Sequence, residues 1–252
     1  MTFFPENLNT FESISLEEMN VVKLLDRVDT KFTFHIDKLN EILSIISNDY
    51  KILTINNLRF ARYETRYYDT PAYEMYTKHH NGKLNRKKVR FRTYMDTNIH
   101  YFEVKNKTNK GRTIKTRLRR EMNDYNITDN AKALLETKTQ YLTEELQEAI
   151  RIFYKRITLV SKNMTERLTI DFEMRYVLNE KEKEFPNLVI AELKQDKSSK
   201  SHFAVLMNTL KIKDISMSKY CLGVASLADN VKKNNFKSKI HYVDKLCISN
   251  PY

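Results

Sequence analysis

Lys88-Val89-Arg90-Phe91-Arg92-Thr93-Tyr94 alternates cations with apolar or small residues, and its reading decides the fold. Successive residues of a β-strand point to opposite faces, so this stretch sets Lys88, Arg90 and Arg92 on one face and the intervening residues on the other. The pattern recurs. Glu103 and Lys105 alternate in Tyr101-Phe-Glu-Val-Lys105, and Lys115, Arg117 and Arg119 in Ile114-Lys-Thr-Arg-Leu-Arg119. Glu192, Lys194 and Asp196 do so in Ala191-Glu-Leu-Lys-Gln-Asp196. One such strand is an ordinary half-solvated antiparallel strand. Several, with cations crowded onto one face, imply a concave surface that holds a polyanion.

The bulk properties agree. A net charge of +12 points to nucleic acid, a nucleotide, an inorganic phosphate chain or an anionic membrane. With 252 residues, 41% of them hydrophobic, the chain has enough apolar surface for a real core, and it is read as one domain. The only glycines are Gly82, Gly111 and Gly223, and none lies in a dinucleotide-binding or P-loop pattern. Side chains must therefore do the phosphate binding that backbone N–H groups do in those folds. Cys221 and Cys247 have neither metal-ligand nor redox spacing, and no secretory leader is recognisable, so a cytoplasmic location is expected. The longest apolar runs, such as Leu188–Ala191, are far too short to span a bilayer.

Periodicity and turn residues predict a short helix over 16–25, a strand over 30–36, and a helix from Asp37 to Ile46 with Leu39, Ile42, Leu43 and Ile46 on its apolar face. A strand over 62–68 precedes a short helix opened by Pro71. A meander follows over 84–95, 99–108 and 112–120, its short connections implying antiparallel neighbours. Helices are expected over 128–138 and 143–150, strands over 152–161, 167–178 and 188–195, and helices over 199–210 and 218–228. The basic, Asn-rich segment 229–252 reads as a loosely ordered tail, and His79, His80 and His100 as surface residues. The sum is an α+β chain of about eight strands. Too many charges sit on both sheet faces for a dry sandwich, so an eight-stranded antiparallel tunnel, a closed barrel with a polar, charged lumen and peripheral helices, is the expected architecture.

A set of motifs in order then resembles the VTC-type polyphosphate polymerase domain of the triphosphate tunnel (CYTH-like) superfamily. They are Arg27-Val-Asp-Thr-Lys-Phe32, Tyr67-Tyr-Asp-Thr70, Lys88-Val-Arg-Phe-Arg92, Phe102-Glu-Val-Lys105, Tyr154-Lys-Arg156, Arg167-Leu-Thr-Ile-Asp171, Ala191-Glu-Leu-Lys194 and Ser218-Lys-Tyr220. The resemblance spans about Arg27 to Val224, with a core of about 27–228. It implies an ATP- and metal-dependent enzyme that moves the γ-phosphate onto a growing inorganic polyphosphate chain and releases ADP. It implies Mn²⁺ or Mg²⁺ as cofactor, ATP and polyphosphate or pyrophosphate as ligands and no specific nucleic acid, and it leaves room for a membrane-protein partner.

By the same resemblance Arg90, Arg92, Lys105 and Arg167 are catalytic, and Lys31, Lys88, Lys115, Tyr154, Arg156, Lys194, Ser218 and Lys219 bind phosphate or nucleotide. Glu192 is the metal ligand; its alternative is a salt bridge to a neighbouring lysine. Tyr154 is either a hydroxyl donor to phosphate or a core tyrosine with a satisfied hydroxyl, and Ser218 either a phosphate contact or an N-cap. Glu103 and Asp171 are expected to orient basic neighbours. Two departures stand out. The hydrolase and cyclase branches open with Glu-x-Glu-x-Lys, where this chain has Arg27-Val-Asp29-Thr-Lys31, which favours polymerase over triphosphatase. The family's basic residue two positions before the Ser-Lys-Tyr motif is Ser216 here, so one phosphate contact is either missing or supplied from elsewhere. A non-catalytic polyanion-binding module is the rival of another class.

Overall fold

The cation-alternating stretch is a strand in the middle of a long antiparallel path. The computed structural model describes residues 5–20, 27–196 and 200–248. Its strands are β1 (Glu12–Ile14), β2 (Arg27–His35), β3 (Tyr50–Leu53), β4 (Ala61–Asp69), β5 (Arg86–Tyr94), β6 (Ile99–Lys107), β7 (Thr113–Arg120), β8 (Gln147–Ser161), β9 (Glu166–Leu178), β10 (Lys181–Phe185) and β11 (Leu188–Asp196). The helices are α1 (Leu16–Asn20), α2 (Lys38–Ile46), α3 (Glu74–His80), α4 (Asp129–Lys138), α5 (His202–Thr209), α6 (Lys219–Leu227) and α7 (Lys237–Ile248). All these strands join one sheet, whose main path is β2-β11-β9-β8-β4-β5-β6-β7. Every neighbouring pair along it is antiparallel.

The path has the expected eight strands, but its ladder is not closed. β2 and β7 are its two ends. The free edge of β2 is taken by another segment: Phe32 bridges Asp214, and the Ile215 N–H donates to the Lys31 carbonyl at 2.7 Å. That occupied edge is the physical reason a β7–β2 ladder does not form.

Each half of the sheet buries its apolar face under its own helices. Phe32, Phe34, Leu159, Leu168, Ile170 and Ala191 pack with Leu39, Ile42, Leu43 and Ile46 of α2. All four α2 residues are buried, each worth about 1.5–3 kcal/mol. Val89, Phe91, Phe102 and Val104 pack with Ala131 and Leu135 of α4. The opposite face is left to the charges, except where α6 presses against it with Tyr220 and Val224 beside Tyr67, Ile150 and Tyr176. Gly223 permits that approach. A Cβ there would stand 2.4 Å from side-chain carbons of Ile150 and Tyr176.

Several expectations are corrected. Residues 143–150 are not a helix: a 3₁₀ turn at Thr143–Glu145 runs into β8. Pairing with β4, Ile150 opposite Tyr67 and Gln147 opposite Asp69, overrides the helical spacing of the glutamates. The helix after Pro71 begins only at Glu74, following Tyr73 with φ of +54°. β1, β3 and β10 escaped the periodicity reading. Within the expected loose tail, Lys237–Ile248 form α7, where Val243 is fully buried and the Tyr242 hydroxyl donates to the Thr33 carbonyl at 3.0 Å; residues 249–252 lie outside those described. His80 and His100 are buried rather than superficial. His100 bonds Thr93 at 2.7 Å and the Asp124 carbonyl at 3.1 Å, while His80 is held by Asn235 of the C-terminal segment at 3.2 Å. The expected helix 16–25 is seen as α1, and its residues 21–25 lie outside those described, as does residue 199 at the start of the expected helix 199–210.

A candidate anion-binding face

Strand register places the charges in rows. Across β5, β6 and β7, Lys88, Lys105 and Lys115 are successive partners, as are Arg90, Glu103 and Arg117. On the other half, Arg156 stands opposite Asp171, and Glu192 has Thr169 on one side and Lys31 on the other. Like charges directly opposed across a ladder destabilise it. Three carboxylates offset this, Glu103 and Asp171 buried and Glu192 partly so.

Glu103 is fully buried and takes Arg90 Nε at 2.7 Å and Lys115 Nζ at 3.2 Å. Burial pushes its carboxyl pKa up, yet Arg90, Arg92 and Lys115 hold it well below the usual range. Asp171 takes Arg156 in a two-pronged contact, Nη2 at 2.7 Å, and also the Lys219 ammonium. Against burial, Arg156 and Lys219 hold Asp171 at about 2. Glu192 takes Lys31 Nζ at 2.6 Å, and Lys194, Lys31 and Arg156 overcome its burial to keep it ionised. The orienting role expected of Glu103 and Asp171 is what the structure shows.

The two halves of the sheet face each other. Lys88 Nζ on β5 donates to the Ser218 hydroxyl, at the start of α6, at 2.8 Å. The Lys105 ammonium on β6 is depressed to about 8 by burial, Arg90 and Lys88, and it feels Glu192 and Lys31 from β11 and β2 at the far end of the strand path. The charged face is thus the concave one. Arg90 Nη1 also donates to the Tyr67 hydroxyl at 2.9 Å; although burial opposes it, Arg90, Lys88 and Arg92 bring that phenol down to about 8.

Several polar atoms on this face are buried without a protein partner: Arg92 Nε, the Tyr154 hydroxyl, and the hydroxyls of Thr65 and Thr169. Among the described residues no carboxylate lies within ion-pair distance of Arg92; its guanidinium sits 5.6 Å from the Tyr63 ring centroid. Tyr154 stacks on Tyr63 at 5.0 Å, with Arg156 over both rings. Buried donors that find no acceptor within the protein are a demand for an acceptor from outside.

Lys31, Lys88, Arg90, Arg92, Lys105, Lys115, Tyr154, Arg156, Glu192, Ser218 and Lys219 are therefore brought together. Arg167 and Lys194 are register partners one step from Glu192, and Arg167 Nη2 reaches the Met19 carbonyl at 3.1 Å, which ties it to α1. Ser218 is the N-cap of α6, its hydroxyl accepting from the Cys221 N–H, and the same hydroxyl also accepts from Lys88. Tyr67, through its hydroxyl on Arg90, is an additional polar member. So is Lys239 of α7, whose Nζ donates to the Ser216 carbonyl at 2.7 Å and brings a cation to the position where the resemblance expects one.

A cavity of about 390 Å³ lies beside the register shift between β8 and β9, among Arg62, Phe153, Lys155, Glu173 and Arg175, and reaches Tyr63 and Tyr154 at the edge of the charged face. Its cations are already paired: Lys155 with Glu173 at 2.7 Å, Arg175 with Glu182 at 3.1 Å and Arg62 with Asp96 at 2.7 Å. The orphaned donors and the crowded cations mark the concave face instead. Among the described residues no three or more His, Cys, Asp or Glu side chains cluster to hold a metal.

A curled antiparallel sheet whose concave face sets lysines and arginines around isolated carboxylates has the architecture of the triphosphate tunnel (CYTH-like) class. Within it, the chain belongs to the VTC domain family, whose model matches residues 26–228. Two solved structures share the fold. One is a "putative adenylate cyclase" of Bacillus halodurans, 12% identical, with 84% of this chain and 97% of that one covered and a TM-score of 0.52. The other is a "putative adenylyl cyclase" of Hippeastrum, described as having a dominant triphosphatase activity, 12% identical, with 81% of this chain and 98% of that one covered and a TM-score of 0.50. No curated protein matches the chain in sequence. No described helix is long and apolar enough to cross a membrane.

Proposed function

We propose that this protein is a metal-dependent polyphosphate polymerase that transfers the γ-phosphate of ATP to inorganic polyphosphate and releases ADP. The observation that carries the reading is the concave face itself: Arg90, Arg92, Lys105 and Arg156 converge there, with buried donors lacking acceptors. Phosphoryl transfer asks for alignment of two oxygens and for charge stabilisation on the group between them, and needs little covalent help from protein. The attacking group is a terminal phosphate oxygen, already largely ionised near neutral pH (second pKa roughly 6), so no general base is required. Arg90 and Arg92 are forked donors for the transferring group. Glu103 fixes the Arg90 guanidinium in place, so little reorganisation accompanies the reaction. Lys31, Lys88, Lys115, Lys194 and Lys219 hold the remaining phosphates.

A Mg²⁺ or Mn²⁺ ion fits the donor set. Such ions are held by one or two carboxylates with phosphate oxygens and water rather than by a full protein cage. Glu192, kept ionised beside Lys31, is the carboxylate that would hold it, and the ion would supply charge neutralisation on the phosphates. Lys31, paired with Glu192 here, would be the nearest cation to a phosphate oxygen on that ion.

Triphosphate hydrolysis is the second reading, favoured by the activity ascribed to the Hippeastrum protein of similar fold. Against it, the opening strand offers Asp29 and Lys31 without the pair of glutamates that the hydrolytic branches use. Incubating purified protein with ATP and Mn²⁺, with separate assays for polyphosphate, ADP and free phosphate, separates the two. Polymer with matching ADP supports the polymerase; phosphate without polymer supports hydrolysis.

A further inference from the structure

One rim of the meander is built from two turns that carry no acid. No Asp or Glu occurs over 75–95 or 104–120. The β6–β7 turn is tight: the Thr108 N–H donates to the Arg112 carbonyl at 2.8 Å, and Gly111, with φ of +76°, reverses the chain. The Asn109 N–H donates to the Asn85 side-chain oxygen at 2.8 Å and pins this turn to the segment that leads into β5. The two turns thus form a single edge, on which Lys83, Leu84, Lys110 and Arg112 are exposed. Lys87 and Ile114 are both register partners of Asn106, on the sheet face opposite Lys88 and Arg90 and about 10 Å apart at ordinary strand spacing. Leu84, at 62%, is the most exposed large apolar side chain among the described residues, and Ile114 is 54% exposed. Among the described residues, no carboxylate lies within ion-pair distance of Lys83, Lys87, Lys110 or Arg112.

We propose that Lys83, Lys87, Lys110 and Arg112, together with Leu84 and Ile114, form a docking edge for the surface of an anionic lipid bilayer. Peripheral attachment needs two signals, apolar side chains that enter the headgroup boundary and cations that meet anionic lipid. This edge supplies both within one patch. A free phosphate chain or a nucleic acid would use the cations alone and leave Leu84 and Ile114 in water. Single strands also stack their bases on aromatic rings, and neither 81–88 nor 105–115 contains one. The edge is separate from the concave face: Lys87 and Ile114 point the other way, and Lys83, Lys110 and Arg112 lie beyond the ends of β5, β6 and β7. Each cation near an anionic leaflet strengthens binding about fivefold. Burying the exposed half of a leucine or isoleucine adds about tenfold.

The test is sedimentation of the full chain with vesicles of phosphatidylcholine mixed with phosphatidylserine, and with vesicles of phosphatidylcholine alone. Both are measured with and without excess inorganic triphosphate, which occupies the concave face. Wild-type protein should sediment with the anionic vesicles at low salt, far less with the neutral ones, and equally well with triphosphate present. Leu84→Ser/Ile114→Ser should weaken binding to anionic vesicles about tenfold or more. Lys83→Glu/Lys110→Glu should weaken it about twentyfold or more, a loss that shrinks as salt rises. All four side chains are exposed, so melting temperature and triphosphate affinity should stay as in wild type. Absence of wild-type binding to anionic vesicles, or release by triphosphate, overturns the docking edge. So does unchanged binding of Leu84→Ser/Ile114→Ser, which would make the edge a patch for free polyanions. None of these outcomes depends on ATP turnover, which tests the polymerase reading by itself.

Discussion

Replacing Arg92 by methionine should make the free protein more stable while removing its activity. The Nε of the half-buried Arg92 is itself buried and unpartnered, and no described carboxylate is within ion-pair reach. Burial and the neighbouring Arg90 work against its charge, while Tyr154, Glu103 and Tyr94 more than offset them and hold its pKa above the ordinary arginine value; Glu103 is itself already bonded to Arg90 and Lys115. An unsatisfied buried donor costs about 1–3 kcal/mol. Methionine fills similar volume without that donor, and gives up a cation–π contact with Tyr63 worth about 0.5–1 kcal/mol. The net gain is of the order of 1 kcal/mol, which raises the melting temperature by about 2–4 °C in a protein of this size. Turnover, by contrast, loses an oriented charge donor at the transferring phosphoryl group and should fall on the order of 10³-fold. Thermal unfolding without ligand and polyphosphate synthesis from ATP, measured on one preparation, test both halves. A melting temperature several degrees below wild type would show that Arg92 is a structural residue and refute the reasoning.

Glu103→Gln should behave oppositely, destabilising the free protein by about 3–5 kcal/mol because Arg90 loses its buried partner. Added triphosphate should recover part of that in thermal unfolding, since phosphate oxygens take over the carboxylate's role; no recovery would argue against phosphate reaching Arg90. Glu192→Gln should abolish most Mn²⁺-dependent turnover while leaving nucleotide binding measurable by calorimetry, and unchanged turnover would place the ion elsewhere. Lys105 sits at about 8, below the ordinary lysine value, so it is charged below that pH and neutral above it, and Tyr67, also at about 8, gains negative charge over the same range. Polyphosphate affinity should therefore be flat through pH 7 and fall above about pH 8, and a Lys105→Arg variant should fall less steeply.

The meander was legible because its strands keep a strict two-residue alternation with one side wet and charged, which leaves little else for Lys88–Tyr94 or Thr113–Arg120 to be. α2 was equally plain, with Leu39, Ile42, Leu43 and Ile46 facing the core and Ile45 the one apolar residue left outside. The start of β8 was not. Its glutamates sit at helical spacing, and only pairing with β4, distant in sequence, makes it a strand. The closed barrel failed for a similar reason: nothing near β2 in sequence announces that residues 214 and 215 take its outer edge.

In the site, residue type and alternation pointed to the cations and to Glu192, and the register brings most of them onto one face. Which carboxylate serves which cation was not readable, because Arg156 meets Asp171 across a ladder while Lys219 arrives from α6. Lys239 was invisible. It lies in a basic segment whose composition resembles a tail, and its place is fixed by Val243, Tyr242 and Asn235 packing at a distance.

The most direct test of the central claim is the product balance from ATP and Mn²⁺ in the presence and absence of a short polyphosphate primer. The account expects acid-insoluble polyphosphate whose phosphate content equals the ADP released, with little free phosphate, and its loss in Arg92→Met. ADP matched by free phosphate with no polymer, or no ADP with any divalent metal while polyphosphate still binds, would contradict it.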